Sequence, residues 1–482
     1  MSFSTLISQY AARHKGHLLS DTELAELLVE AKLATDAHPA EWATFRRVLT
    51  KFTDLTAPEA KADYRTCRIT ADLGAYPYSV TEFIPLFLRA KGYRMKFTGD
   101  FGNVTDADFI LNQMSIWSHE IIGGAPVFAD SQIKAAWANF IVQEKVRLMQ
   151  EGYRRVAFDP SADATELKRF AAFVTMATPE DPAKTARDVR ATEIALRNFI
   201  FRVKNHMRER WHHGIHMMPV FYGPQGSGKT TAVRHLLSPV EDYTSAVGFD
   251  VFEHDSKMYT LSTIPVMFFD ELAGITKAEN ERLKDIMHTR QRELRKIYGS
   301  PVNRTLISTF IGCSNKEIST LIKDETGNRR YLQIDTPLTL SRAEIHAFDA
   351  MAMWRSVDED GEPPLYADAD DLRAVQELQA DQRHLSNVEN WIESDLTIPR
   401  YPASAGDLFT GHFIPWLSAN YPNQERFENV VKFGRELQRM IRAGHERLSV
   451  KNGPTKKLYM ISSSEPPLAP ARAAFRERFG VT

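Results

Sequence analysis

Cysteine is nearly absent from this sequence: Cys67 and Cys313 are the only two in 482 residues, and they lie far apart. This scarcity excludes a disulfide-stapled scaffold and argues against a cysteine-based zinc site, so a reducing cytoplasm is the natural compartment. Long apolar runs are also lacking, since no stretch approaches the ~20 residues that a membrane helix needs. We therefore predict a chain with no membrane partner.

A strong net charge and a signal peptide are lacking as well. The 60 Lys and Arg residues nearly balance the 62 Asp and Glu residues, which leaves a net charge of −2. Any nucleic-acid surface must therefore be local rather than a property of the whole molecule. The first residues, Met1–Thr5, do not follow the charged-then-apolar plan of a signal peptide, which again favours the cytoplasm.

The stretch around which the rest is organised is a glycine-rich loop between an apolar run at 217–222 and a helical pattern at 231–237. The loop matches G-x-x-x-x-G-K-[ST], in which backbone N–H groups and a helix N-terminus bind phosphate oxygens. Lys229 would reach the β- and γ-phosphates of ATP, and the Thr230 hydroxyl would ligate Mg²⁺. The predicted ATP-binding residues are Gly223, Pro224, Gln225, Gly226, Ser227, Gly228, Lys229, Thr230 and Thr231.

A second apolar run, 264–269, ends in the acidic pair Asp270 and Glu271. This is the Walker B pattern, in which a core strand delivers carboxylates to the phosphate site. Asp270 is predicted to hold Mg²⁺ together with Thr230. Glu271 is predicted to act as the general base on the attacking water.

A third apolar run, 306–314, ends in Asn315. In ring ATPases of the AAA+ class, a strand between the phosphate-loop strand and the Walker B strand ends in such a residue, which positions water and senses the γ-phosphate. Arg329 and Arg330 follow on a polar turn. Their guanidinium groups suit an arginine finger that reaches a neighbour's nucleotide, although a surface turn with a salt bridge has the same pattern.

Basic residues are concentrated before this third run, where residues 282–304 contain seven Lys or Arg. The turn at 298–302 predicts a hairpin that carries Lys296, Tyr298 and Arg304. A loop that tracks single-stranded DNA needs cationic and aromatic groups, so these three side chains are predicted DNA contacts.

The motifs GPQGSGKT, FFDELAGI, IYG, FIGCSN and DETGNRRY, in this order, resemble the virulence-associated protein E family. Its members are phage and mobile-element ATPases similar to superfamily 3 helicases. The resemblance covers residues 206–340. It implies an AAA+ core, homo-hexameric rings, ATP hydrolysis between subunits with Arg329 or Arg330 acting in trans, and replication of an element's DNA in a bacterial host. Some relatives carry a primase upstream, but no zinc motif or acidic triad indicates one here.

The C-terminal part has helical patterns at 387–393, 403–417 and 429–441, followed by a hairpin at 447–461, which together predict a winged helix. It resembles the winged-helix tail that follows viral and phage superfamily 3 helicase cores. Such domains contact DNA or dock proteins, and nine basic against three acidic residues at 426–457 favour DNA. The predicted DNA contacts are Lys432, Arg435, Arg439, Lys451, Lys456 and Lys457.

Two oppositely charged segments flank the core. The basic helical run at 161–213 is either a solvated face or the lining of a DNA path. The acidic, turn-rich segment at 358–371 is interpreted as a soluble loop.

Together these patterns predict an α/β fold with an AAA+-type P-loop core, a mostly helical N-terminal region and a C-terminal winged helix. The predicted units are a helical segment at 1–66, an α+β or helical domain at 67–205 (a collar or a DNA-binding module), the ATPase core at 206–340, an acidic linker with a helix at 341–385, the winged helix at 386–465 and a tail at 466–482.

The predicted function is that of an ATP-dependent DNA helicase or translocase that uses Mg²⁺ and acts as a hexamer on single-stranded or forked DNA, with host or phage replication proteins as further partners. One alternative is an ATPase that loads or remodels replication proteins. Another is an ATP-switched origin-binding or anti-host protein that does not unwind DNA. The basic segment before Asn315 counts against a loader, which does not need it.

Overall fold

The computed structural model describes residues 65–462, apart from residues 67, 71, 103–105, 122–125, 212, 213, 215, 253, 254, 273, 295–300, 322–328, 383–385, 395–397, 400, 422–427, 443, 454 and 455. The predicted segment at 1–66, except its last two residues, and the predicted tail at 466–482 lie outside the described residues. Within the described residues, no helix has the length and apolar character needed to cross a bilayer.

An apolar cluster of its own holds the N-terminal unit together. Its helices are α1 Val80–Ala90, α2 Ala107–Glu120 and α3 Asp130–Val156. Phe83 of α1 stacks on Trp117 of α2, with ring centroids 5.0 Å apart. The C-terminal part of α3 leaves this cluster, and its Leu148 carbonyl accepts a 2.6 Å hydrogen bond from the Tyr243 hydroxyl. Helix α3 thus joins the N-terminal unit to the next one.

A five-stranded parallel sheet forms the centre of the molecule, with the strand order β2-β3-β6-β1-β7. Apart from the edge strand β2, its strands are almost wholly buried, which is why they read as continuous apolar runs in the sequence. The chain also forms a separate antiparallel hairpin from β4 and β5. The bounds are β1 Met218–Tyr222, β2 Thr244–Ala246, β3 Val266–Phe269, β4 Gln291–Leu294, β5 Val302–Thr305, β6 Thr309–Ser314 and β7 Tyr331–Asp335.

Two apolar clusters cover the two faces of this sheet, because successive strand residues point to opposite sides. Phe268 belongs to one cluster, whereas Met267 and Phe269 belong to the other. The helices of this unit are α4 Glu166–Val174, α5 Pro182–Met207, α6 Lys229–Leu237, α7 Asp255–Met258, α8 Lys277–His288, α9 Ile318–Leu321, α10 Arg342–Ala347, α11 Ala350–Arg355 and α12 Ala369–Asp381. Among the described residues, 3₁₀ turns accompany them at Ser238–Tyr243, Phe249–Phe252 and Tyr259–Ser262.

The unit around the sheet extends beyond the predicted core at 206–340. Helix α5, predicted to belong to the N-terminal domain, is buried against the sheet along its C-terminal half. Helix α12, predicted to lie in a linker, contributes Ala374, Val375 and Leu378 to the same cluster. The sequence pattern shows that these helices have an apolar face, but it does not show what that face packs against.

The basic and acidic segments that flank the predicted core pair with each other. The pairs are Arg187–Asp381 at 2.6 Å, Arg190–Asp368 at 3.3 Å, Arg190–Asp371, Arg208–Asp360 at 2.8 Å and Arg210–Asp360 at 2.5 Å. The basic run is therefore largely engaged in ion pairs within the chain, several of which are exposed to solvent. The acidic segment is its partner rather than an independent soluble loop.

The most deeply buried of these contacts joins Lys204 of α5 to Glu359. The lysine Nζ lies 3.0 Å from the glutamate Oε2 and donates a 2.6 Å hydrogen bond to the Val357 carbonyl. The other glutamate oxygen accepts a 2.5 Å hydrogen bond from the hydroxyl of Tyr153, on α3. Lys204 is 0% and Glu359 2% exposed, so each charge depends on the other for compensation.

Replacing Lys204 by methionine is expected to lower the free energy of unfolding by about 3–5 kcal/mol, because the Glu359 carboxylate then stays buried without its cation. Chemical denaturation of the purified chain measures this loss. The double change Lys204→Met with Glu359→Gln should be less destabilising than Lys204→Met alone. As a control, Arg373→Met removes an exposed cation of α12 and should change stability little. Equal stability of Lys204→Met and the wild type would contradict the prediction.

The C-terminal unit has a third apolar core, in which Trp391, Phe413 and Phe433 pack together. Its sheet is antiparallel with the order β8-β10-β9, and the predicted hairpin at 447–461 is confirmed by β9 and β10. The third strand, β8, was not predicted. The bounds are α13 Asn387–Ser394, β8 Ala403–Ser404, α14 Ala405–Leu408, a π-helical turn at Phe409–Phe413, α15 Ile414–Asn420, α16 Val430–Arg442, β9 Leu448–Asn452 and β10 Lys457–Ile461.

Candidate functional site

The glycine-rich loop connects the C-terminal end of β1 to the N-terminus of α6. Gly228 has a φ of +98°, and a Cβ at this position would lie 2.9 Å from the Leu340 carbonyl oxygen, so a larger residue would be strained. The loop turns Lys229 inward, and its Nζ donates hydrogen bonds of 2.7 Å to the carbonyls of Gly223 and Pro224. An ammonium group thus lies inside the glycine-rich loop.

The carboxylate of Asp270 lies beside this loop. Thr230 Oγ1 donates a 2.7 Å hydrogen bond to Asp270 Oδ1, and Arg234 Nη2 lies 3.7 Å from Oδ2. In the described part of the chain, no three His, Cys, Asp or Glu side chains are grouped to hold a metal ion by themselves. Mg²⁺ bound to a nucleotide takes one or two protein ligands and completes its shell with phosphate oxygens and water. Thr230 and Asp270 fit that role, and Glu271 is exposed at the end of the same strand.

Strand β6 lies between β1 and β3, which confirms the predicted position of the third apolar run. Two hydrogen bonds tie it to the neighbouring loops: Gly223 N donates to the Ser314 carbonyl at 3.2 Å, and Leu272 N donates to the Cys313 carbonyl at 2.9 Å. Burial raises the pKa of the Cys313 thiol to about 12, so this group stays protonated at neutral pH. Asn315 is exposed where β6 ends, at the same sheet edge as the loop and Asp270.

Arg329 and Arg330 lie at the opposite end of the strands, where β1 and β7 begin. Met218 N, at the start of β1, donates a 2.7 Å hydrogen bond to the Arg330 carbonyl, whereas the loop begins after β1 ends. A strand advances ~3.3 Å per residue, so the length of β1 separates the arginines from their own loop by about 17 Å. Arg329 is exposed. Arg330 is half-buried, and its buried Nε has no hydrogen-bond partner among the described residues.

The structure describes the base of the predicted DNA-tracking hairpin. There, Arg292 of β4 lies opposite Arg304 of β5. Arg304 is exposed, and its guanidinium carbon lies 5.4 Å from the centre of the Tyr259 ring. Lys296 and Tyr298, the other predicted contacts, lie outside the described residues.

The predicted DNA contacts of the C-terminal unit fall into two groups. Helix α16 supplies one group, of which Lys432 is 3.0 Å from Glu428 and Arg439 is 2.5 Å from Glu436. The other side chains are exposed, and no ion pair with a described residue engages them: Arg435, Lys451, Lys456 and Lys457. Three of these four exposed side chains lie on the hairpin of β9 and β10.

Two neighbours of the loop were missed in the sequence. Arg234 could have been found, because it lies one helical turn after Thr230 in the pattern at 231–237. The segment 336–340 gave no signal, since it has neither a charged residue nor a known motif. Its contacts with the loop depend on the pairing of β7 with β1.

Residues 183–363 match the family model described as a virulence-associated protein E-like domain. The match confirms the resemblance read from the order of the motifs. The matched segment begins within α5 and ends in the loop before α12, so it includes a helix that the motifs alone did not assign to the core. A comparison with curated proteins finds no match.

Three solved structures are similar to the chain at low identity. The apo A form of the C-terminal region of NrS-1 is 13% identical, with 64% of this chain and 78% of that chain covered and a TM-score of 0.34. A JCV helicase with a bound small molecule is 8% identical, with 55% and 78% covered and a TM-score of 0.25. The active helicase Cch of SCCmec type IV is 14% identical, with 59% and 49% covered and a TM-score of 0.20. Because these TM-scores are below 0.5, the similarities assign no role to any residue of this chain.

Proposed function

We propose that this chain is a ring-forming ATPase of a phage or mobile element that unwinds DNA or moves along it during replication. One observation carries the proposal: the glycine-rich loop with Lys229, Asp270 after β3 and Asn315 after β6 lie together where the parallel strands end. ATP phosphates would lie against the loop N–H groups, with Lys229 opposing their charge. Thr230 and Asp270 would hold Mg²⁺, and Glu271 would take the proton of the attacking water.

The position of the arginines supports hydrolysis between subunits. A separation of about 17 Å along β1 is longer than an arginine side chain, so neither Arg329 nor Arg330 reaches the loop of its own chain. They lie where β1 and β7 begin. A neighbouring copy whose glycine-rich loop faced that end of the strands would receive one of these arginines. Such a head-to-tail contact repeats in every subunit and forms a ring when the rotation between neighbouring subunits closes.

Arg329 is the better candidate for the arginine finger. It is exposed, whereas Arg330 is half-buried with its Nε inside the protein. A finger must extend its guanidinium beyond its own surface to reach a neighbour's γ-phosphate. Arg330 would instead support the start of β7, which it directly precedes.

The moving part that acts on DNA is proposed to be the hairpin of β4 and β5. Its base carries opposed arginines, Arg292 and Arg304, and the predicted tip adds Lys296 and Tyr298. Cations along a ribbon bind phosphates, and an aromatic ring at the tip would stack on a base.

The C-terminal unit is proposed to be a winged helix that contacts DNA through its wing. Replacing Lys451, Lys456 and Lys457 together by alanine is expected to weaken binding to forked DNA and to reduce the salt slope of log K by about 2–3, since each lost phosphate contact removes ~0.9. Fluorescence anisotropy at several salt concentrations measures both quantities. Lys432→Ala serves as the control and should have a small effect, because Glu428 already engages that lysine. A slope unchanged in the triple variant would place the DNA elsewhere.

A strand-displacement assay on a forked duplex with ATP tests the function, with Lys229→Ala as the inactive control. ATP-dependent displacement by the wild type supports the helicase. Hydrolysis stimulated by DNA without displacement would instead support a loader or remodelling ATPase. Slow hydrolysis that does not respond to DNA would support an ATP-switched binding protein.

A further inference from the structure

The segment 336–340 is tied to the glycine-rich loop at both of its ends. Thr336 N and Thr336 Oγ1 both donate 2.8 Å hydrogen bonds to the carbonyl of Tyr222, the residue before the loop. Leu340 N donates a 2.7 Å hydrogen bond to the carbonyl of Ser227, within the loop. Both anchors are buried. The segment therefore keeps its position relative to the loop.

Leu338, at the middle of this anchored segment, is 76% exposed. Isolated exposed leucines are common on protein surfaces and need no explanation by themselves. This one differs in that its two flanking anchors hold it beside the loop proposed to bind ATP. Most of this apolar side chain is therefore left uncovered by the described residues, beside the loop proposed to bind ATP.

The strand order decides which end of a nucleotide would face this segment. Asp270 follows β3 and Asn315 follows β6, and both strands lie on one side of β1. Strand β7, which leads into 336–340, lies on the other side. The γ-phosphate must face the metal ligand and the sensor amide for hydrolysis. The nucleoside then extends towards β7.

We propose that Leu338 is a nucleoside-binding residue, on which the base of the bound nucleotide packs. This inference rests on the proposed function, because it assigns the base end of the same site. A leucine side chain provides apolar contact area without a hydrogen bond to a particular base edge. The contact would therefore strengthen nucleotide binding without selecting adenine over guanine.

The test compares the affinities of ADP and of inorganic tripolyphosphate, each with Mg²⁺, by isothermal titration calorimetry on the full chain. Leu338→Ser is expected to weaken ADP binding about five- to tenfold, the range for partial loss of one apolar contact. The same variant should bind tripolyphosphate as the wild type does, because that ligand has no base. Leu338→Met keeps an apolar side chain and should stay within about twofold of the wild type for ADP. Val142→Ser, at an exposed position of α3, is the matched control and should change neither affinity.

Two results would overturn the assignment: unchanged ADP affinity in Leu338→Ser, or an equal loss of ADP and tripolyphosphate affinity, which indicates a damaged loop. A change in oligomeric size with unchanged ADP affinity would likewise overturn it and assign Leu338 to a contact between copies. Failure of the proposed function looks different, because the wild type would then bind neither ligand more tightly than Lys229→Ala does.

Discussion

Replacing Lys229 by alanine is expected to abolish ATP hydrolysis, with a loss of at least about a hundredfold in turnover. Its Nζ lies inside the glycine-rich loop, where it donates to two loop carbonyls. No other cation is placed to oppose charge on the transferred phosphoryl group from within that loop. Phosphate release with saturating ATP, measured with and without single-stranded DNA, gives the turnover.

A lysine outside the site provides the control for this variant. Lys168 is exposed on α4, so Lys168→Ala makes the same chemical change without touching the loop. It should hydrolyse ATP at the wild-type rate. Thermal unfolding of both variants shows whether a lost rate reflects lost folding. Turnover retained in a folded Lys229→Ala chain would remove the basis for the ATPase proposal.

Replacing Arg329 by alanine is expected to lower kcat for ATP by about a thousandfold, the lower range for loss of an arginine finger. ATP binding should change little, because the loop of the same chain remains intact. Arg330→Ala should act mainly on stability, since its Nε is buried. Steady-state kinetics give kcat and KM for each variant, and a larger fall of kcat in Arg330→Ala would exchange the two roles.

A mixing experiment shows whether the arginine acts in trans. Each of the Lys229→Ala and Arg329→Ala chains is expected to be inactive when it assembles alone. In an equal mixture, about a quarter of head-to-tail interfaces combine an intact loop with an intact arginine from the neighbour. Hydrolysis should therefore return to about a quarter of the wild-type rate if sites act independently. A mixture no more active than its two components, under conditions where subunits exchange, would argue that the site is complete within one chain.

The loop, the acidic pair and the sensor strand could be predicted because each is a local pattern. A phosphate loop needs glycines and a lysine at fixed spacing, and a buried parallel strand must be apolar along its length. Those constraints act over fewer than about ten residues each. The position of β6 between β1 and β3 followed from the resemblance to ring ATPases, and the structure confirms it.

The two charged segments illustrate what local patterns miss. Arg190 and Asp371 are 181 residues apart in sequence, and nothing in either run specifies the other as its partner. The composition of the run at 161–213 does not distinguish between charges that face water, DNA or an acidic segment. Only the packing of α12 against α5 brought the opposite charges together.

The sequence by itself supplied the residues proposed to hold a phosphate and a metal, and it predicted which apolar runs form the sheet. These are properties of single segments, set by residue type and spacing. Only the tertiary structure decided that α5 and α12 pack against the sheet, that Arg329 lies at the far end of β1 from its own loop, and that Leu338 lies exposed beside that loop. Those features depend on strand order and on contacts between distant segments, which a linear pattern does not encode.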